Sequence, residues 1–126
     1  MVRALAPDTA TRLEHGEVCA AISRAVVRLH ALAYGKGPAK ASTHVRDKQF
    51  VLCLLRDPFT RSERTFIAAG RTDVVCENRR VFHEMLERQL RATVEDLTGH
   101  RVTAFVPGVS IEADLVSQLF ILDPRA

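Results

Sequence analysis

Phe50-Val51-Leu52-Cys53-Leu54-Leu55-Arg56-Asp57-Pro58 is an unbroken apolar run that stops on a turn pair. A run this short, bounded by turn residues, reads as a central, well-buried strand rather than a helix. Pro58 has no N–H to give a ladder and restricts Asp57 before it, so the strand ends there. Near the end of the chain Val116 to Leu122 repeats the pattern and closes on Asp123-Pro124. Each run is preceded by a second, more polar strand. Ala41 to Arg46 alternates before the first, joined by Asp47-Lys48-Gln49, which is short enough for a hairpin. Arg101 to Val106 alternates before the second, and Pro107-Gly108 is expected to break it.

Helical patterns lie upstream of both hairpins. Thr11-Arg12-Leu13-Glu14 fits a capping box, with Gly16 weakening the first turn. Val18, Ile22, Ala25, Val26, Leu29 and Leu32 then form one apolar stripe. Tyr34-Gly35 ends that helix, with Gly35 suited to a left-handed cap. Thr60-Arg61-Ser62-Glu63 is a clearer capping box and opens a short helix through Phe66, Ile67 and Ala69, closed by Gly70. The longest helix is expected from about Asp73 to Gly99. Its core stripe is Val74, Phe82, Leu86, Leu90, Val94 and Leu97, supported by Val81 and Met85. Glu77, Arg79, Arg80, Glu84, Glu87, Arg88, Arg91 and Glu95 cover its wet side.

The expected fold is therefore α+β, in the order α-β-β-α-α-β-β. It has a single antiparallel four-stranded sheet with helices packed on one face. Residues 1–10, with Pro7 and Asp8, read as a flexible lead-in, and 11–126 as one domain. The two halves echo each other, since Gly35 to Asp57 spans 22 positions and Gly99 to Asp123 spans 24. A pseudo-twofold αββ repeat is one reading, and Asp-Pro as ordinary strand punctuation is the other.

Composition bounds the rest. The 126 residues suit one domain, and 47% hydrophobic with 26% charged residues argues against disorder. No apolar run approaches the roughly 18 residues needed to cross a bilayer. Cys19, Cys53 and Cys76 are an odd number at wide spacings, with no disulfide ladder or zinc knuckle, which suits a reducing, cytoplasmic compartment. The net charge is only +3, but Arg24, Arg28, Lys36, Lys40, Arg46 and Lys48 against Asp47 make the 24–48 segment +5 and leave the remainder at −2. These six, with Gly35, Gly37 and Pro38 of the loop between them, form the candidate interaction face, either for an acidic partner or for phosphate and anionic surfaces.

Motifs with chemistry are few. Gly35-Lys36-Gly37-Pro38 follows a helix instead of opening one, and Pro38 lacks an N–H, so it does not fit a phosphate loop. His15, His30, His44, His83 and His100 form no paired metal spacing. His44 and Cys53 could face each other across the first hairpin as a thiolate pair, although Cys53 reads better as core filler. The first six elements also follow the order of the bacterial KH domain. Ala68-Ala69-Gly70-Arg71-Thr72 lacks the second glycine of that module's RNA clamp. No catalytic residue, cofactor or metal site is assigned.

A set of segments carries a resemblance. They are Gly16-Glu17-Val18-Cys19-Ala20-Ala21-Ile22-Ser23, Tyr34-Gly35-Lys36-Gly37-Pro38-Ala39-Lys40, Thr60-Arg61-Ser62-Glu63-Arg64-Thr65, Arg79-Arg80-Val81-Phe82 and Leu97-Thr98-Gly99-His100-Arg101-Val102. Over about residues 16–123 the chain resembles the small bacterial domain family MpsC, the C component of a Na+-translocating membrane-potential-generating system. The family's second hairpin often carries an acidic turn, where this chain has Pro107-Gly108-Val109-Ser110. The resemblance implies a cytoplasmic protein, accessory to a membrane cation-transport complex and associated with the membrane through that partner. The residues and the resemblance together suggest a non-enzymatic adaptor or regulator acting through a protein interface. A homodimer is expected, because the sheet's edges need management. The alternative is an RNA- or anionic-lipid-binding module using the basic 24–48 segment.

Overall fold

The computed structural model describes the backbone of residues 2–125 and the side chains of residues 15–125. The elements are α1 (Val2–Tyr34), β1 (Lys40–Arg46), β2 (Phe50–Arg56), α2 (Arg61–Ala68), α3 (Thr72–Thr98), β3 (Val102–Ser110) and β4 (Leu115–Leu122). This is the expected α-β-β-α-α-β-β order. The four strands form one open antiparallel sheet in the order β1-β2-β4-β3. The two apolar strands take the centre, and the polar ones take the edges.

Four details differ from the sequence expectation. The first helix is longer, running back through the Thr11–Glu14 box to Val2, and with 33 residues it exceeds α3's 27. The side chains of that box lie outside the described residues. Second, β3 passes through Pro107-Gly108 to Ser110, so the second hairpin's turn is not Pro107–Ser110 but residues 111–114, which carry Glu112 and Asp114. An edge strand is paired on one side only, so a missing N–H is tolerated there. A Cβ at Gly108 would sit 2.8 Å from Ser117 Oγ on β4, so the serine hydroxyl would have to turn away to admit one. Third, the buried stripe of α3 is Val75, Arg79, His83, Leu86, Leu90 and Val94. Arg79 belongs to the core and not to the wet side. Val81 is 40% exposed and Met85 69%. Fourth, Leu32, read into the apolar stripe of α1, is 78% exposed, and Phe66 of α2 is 40% exposed. Leu32 lies in the last turn of α1, on the side away from its partners Val26 and His30.

The core lies between the helices and one face of the sheet. Ile22 and Val26 of α1 and Val75, Leu90 and Val94 of α3 meet Val51, Cys53 and Leu55 of β2 and Val116, Phe120 and Leu122 of β4. At about 1.5–3 kcal/mol for each fully buried aliphatic or Phe side chain, this layer is the main stabilising term. The capping box of α2 forms as read: Thr60 Oγ1 accepts from Glu63 N at 3.2 Å, and Thr60 N donates to Glu63 Oε1 at 2.8 Å. Gly35, at φ 76°, closes α1 through its N–H to the Ala31 carbonyl at 2.9 Å.

Candidate interaction surface

Strand parity creates two different faces. Along β2, Val51, Cys53 and Leu55 are buried under the helices, while Phe50, Leu52 and Leu54 point the other way and are half-buried. In β4, Val116, Gln118, Phe120 and Leu122 are buried, and Leu115, Ser117, Leu119 and Ile121 share the second face with Phe50, Leu52 and Leu54. The continuous apolar run of β2 predicts burial on both faces, as in a sheet covered on both sides. Here the helices cover one face, and among the described residues nothing lies over the other. Val106 of β3 extends the open face and is 53% exposed.

The open face is arranged in rows across the sheet. One row reads Ser42, Leu54, Ser117 and Gly108; the next reads His44, Leu52, Leu119 and Val106; a third reads Arg46, Phe50, Ile121 and Ala104. Lys40 and Arg56 begin the remaining row, which ends on Leu115 and Ser110. The β1 side of the face is therefore basic, the middle is aliphatic, and the β3 side is small and uncharged. The four strands, about 4.8 Å apart with roughly 3.3 Å per residue, give a projected footprint of about 500 Å2. The middle of that footprint, Phe50, Leu52, Leu54, Leu115, Leu119 and Ile121, is a contiguous apolar patch rimmed by polar residues, the pattern of an interaction site.

The residues singled out from the sequence are divided among three places. Lys40 and Arg46 lie on the open face, beside His44 and Arg56. Arg24 and Arg28 are exposed on α1, in the helical layer, where they flank a cleft with Ser23, Val27 and Ala41. Lys48 sits in the β1–β2 turn at φ 60°. Lys36 is held by structure: its Nζ donates to the carbonyls of Asp57 and Phe59, each at 3.1 Å, and pairs with the Asp57 carboxylate at 3.7 Å. Asp57 also pairs with Arg64, which reaches Asp114 at 3.2 Å. This chain ties the loop after α1 to α2 and to the β3–β4 turn. Gly37 lets the same loop close on α1, since a Cβ there would lie 3.2 Å from Val27 Cγ1. Gly35, Lys36 and Gly37 thus have structural work within the fold.

The thiolate pair weighed from sequence does not form. Cys53 is opposite Thr43, and His44 is opposite Leu52, so His44 and Cys53 point to opposite faces. Burial pushes the Cys53 thiol up to about 11, against a weaker lowering by its hydrogen bond to Thr43 at 3.5 Å.

Two buried polar clusters behind the sheet were not read from the sequence. Arg79 donates from Nε and Nη2 to Glu63, both at 2.7 Å, and from Nη2 to the Pro58 carbonyl at 2.8 Å. Its guanidinium stacks 3.8 Å from the Tyr34 ring centroid. Burial alone raises the Glu63 carboxyl; hydrogen bonds from Arg79 and from the Thr60 backbone, with the Arg79 charge, overcome it and hold Glu63 below its ordinary value. In the second cluster, the Gln118 side-chain nitrogen on β4 donates to His30 Nε2 at 2.8 Å and His83 Nε2 at 3.1 Å. With the amide in this orientation each Nε2 is an acceptor, and Gln118 Oε1 is buried without a partner. Burial, then the neighbouring positive charge, lowers His30 to about 3 and His83 to about 4.

Among the described residues no group of His, Cys, Asp and Glu could hold a metal ion, and no helix is long and apolar enough to cross a membrane. A family model described as "Na+-translocating membrane potential-generating system (MpsC)" matches residues 14–124. No curated protein and no solved structure matches the chain.

Proposed function

Because the chain belongs to the MpsC family, we propose that it is a non-enzymatic adaptor that acts through a protein interface. Its place is at the cytoplasmic side of a membrane cation-transport complex of the kind the family description names, and it works as a homodimer. One observation supports the interface reading above others: the second face of the sheet is aliphatic across its middle and has no cover among the described residues. Burying such a face is the main favourable term in stable association. The basic side chains Arg24 and Arg28, exposed on the opposite layer, are then available to an acidic surface of the partner complex.

The test is affinity capture of the tagged chain from native membranes in mild detergent, with protein and RNA quantified at low and moderate salt. The expected result is a salt-resistant integral membrane protein in the eluate. Capture of nuclease-sensitive RNA that disappears with salt, and of no membrane protein, would overturn the adaptor reading in favour of phosphate binding by the 24–48 segment.

A further inference from the structure

We propose that the occupant of the open sheet face is a second copy of this chain, related by a two-fold axis that runs parallel to the strands and passes between β2 and β4. This deepens the adaptor reading and rests on it for the interface character of the face.

The rows of the face argue for this partner and this axis. A two-fold axis parallel to the strands turns each row over onto itself, so that β1 of one copy lies over β3 of the other and β2 lies over β4. Leu54 then projects over Ser117 of the second copy, and Ser117 receives the second Leu54. A large side chain meets a small one twice, as interdigitated sheet packing about 10 Å apart requires. In the next row Leu52 lies over Leu119, and in the third Phe50 lies over Ile121, giving a continuous aliphatic centre. At the β1 edge, Lys40 lies over Ser110 and Arg46 over Ala104, so no basic side chain faces another within these rows. Lys40 and Arg56 also come to the end of the sheet where the β3–β4 turn carries Glu112 and Asp114.

The other two-fold arrangement, with the axis across the strands, fails on both counts. It puts β1 over β1, with Lys40 against Arg46 and His44 against Ser42, and it sets Leu54 on Leu52 with no recess to enter. Like charges facing each other destabilise an interface. Area is consistent with pairing. Two footprints of about 500 Å2 bury about 1,000 Å2 or somewhat more in total, which reaches the threshold for a specific dimer. A two-fold contact is isologous, so one self-complementary face suffices and the assembly closes at two copies.

The experiment uses the purified full chain. Light scattering at micromolar concentration is expected to give a dimer mass. The decisive arm places cysteines at His44→Cys and Val106→Cys together, with Cys76→Ser to remove the exposed native thiol. Within one copy β1 and β3 are three strand spacings apart, about 14 Å, beyond the reach of a short bis-methanethiosulfonate cross-linker, whereas two thiols projecting toward each other between sheets about 10 Å apart lie within it. A reducible covalent dimer must therefore form between copies, and the proposal expects it for the pair but not for His44→Cys alone. Arg24→Cys, on the helical layer, measures random collision and is expected not to link. Leu119→Lys is expected to raise the dimer dissociation constant by roughly 100-fold or more while leaving the circular dichroism spectrum intact. Should Leu119→Lys fail to fold, the linking arm still decides.

A monomer mass, a double variant that links no faster than Arg24→Cys, or linking by His44→Cys alone would overturn the proposal. A monomer that floats with phosphatidylglycerol vesicles, and stops floating in Leu119→Lys, would also overturn it and assign the face to lipid. These assays contain no membrane protein. A monomer that still captures its membrane partner thus refutes the pairing alone, and a dimer that captures none refutes the adaptor reading alone.

Discussion

Glu63 and Arg79 are the residues whose loss the fold should tolerate least. Replacing Glu63 by Ala leaves a guanidinium buried without its counter-ion, which costs about 3–5 kcal/mol. Urea unfolding should register most of that as a lower midpoint. The histidines make a separate prediction in pH. His30 and His83 sit below the ordinary 6.5 in the native state, so the unfolded chain takes up protons first as the medium is acidified. Their stabilising contribution is complete above pH 6.5 and is lost as pH falls toward 4 and then 3. The slope approaches about 2.7 kcal/mol per pH unit where both rings differ by a full proton. His83→Asn should roughly halve that slope in urea titrations between pH 6.5 and 4.5; an unchanged slope would show that His83 is not the group responsible. Neither cluster was legible in the sequence, because the spacing that places Arg79 and His83 between Val75 and Leu86 competes with a more apolar set on the next face. Val81 and Met85 draw the reading outward, and only the Glu63 partner and the Gln118 amide make the polar stripe the buried one.

At the scale of elements, turn and cap chemistry was the most readable part. The Thr60 box, the Gly35 cap and the Asp57 stop each act locally, through backbone groups within a few residues, so sequence alone carries them. Pro107-Gly108 was misread because its tolerance depends on which strand is at the edge, and that is a property of the whole sheet. The contact it creates can be measured. Gly108→Ala drives a methyl against Ser117 Oγ and should destabilise by about 1–3 kcal/mol. Ser117→Ala in the same chain should restore part of the loss, since the hydroxyl is the atom that collides. Additive effects of the two substitutions would mean that β3 moves aside instead.

For the whole molecule, the order of elements and the single sheet followed from periodicity, but the two-faced character of the sheet did not. The run Phe50–Leu55 is apolar on both parities whether the second cover is a helix or another molecule, so the pattern announces burial without saying by what. If the cover is a second copy, amide exchange in β2 and β4 should slow as protein concentration rises, while exchange in α2 should not change. The strand order has a further consequence for how the chain is made. Strand β2 has its inner neighbour in β4, which leaves a ribosome only after α2, α3 and β3. Until it emerges, the nascent chain carries a hydrophobic hairpin with one unpaired edge. Such a species depends on holding factors or on rapid completion to avoid aggregation, and a chain cut before Leu115 should emerge with no cooperative unfolding transition at all.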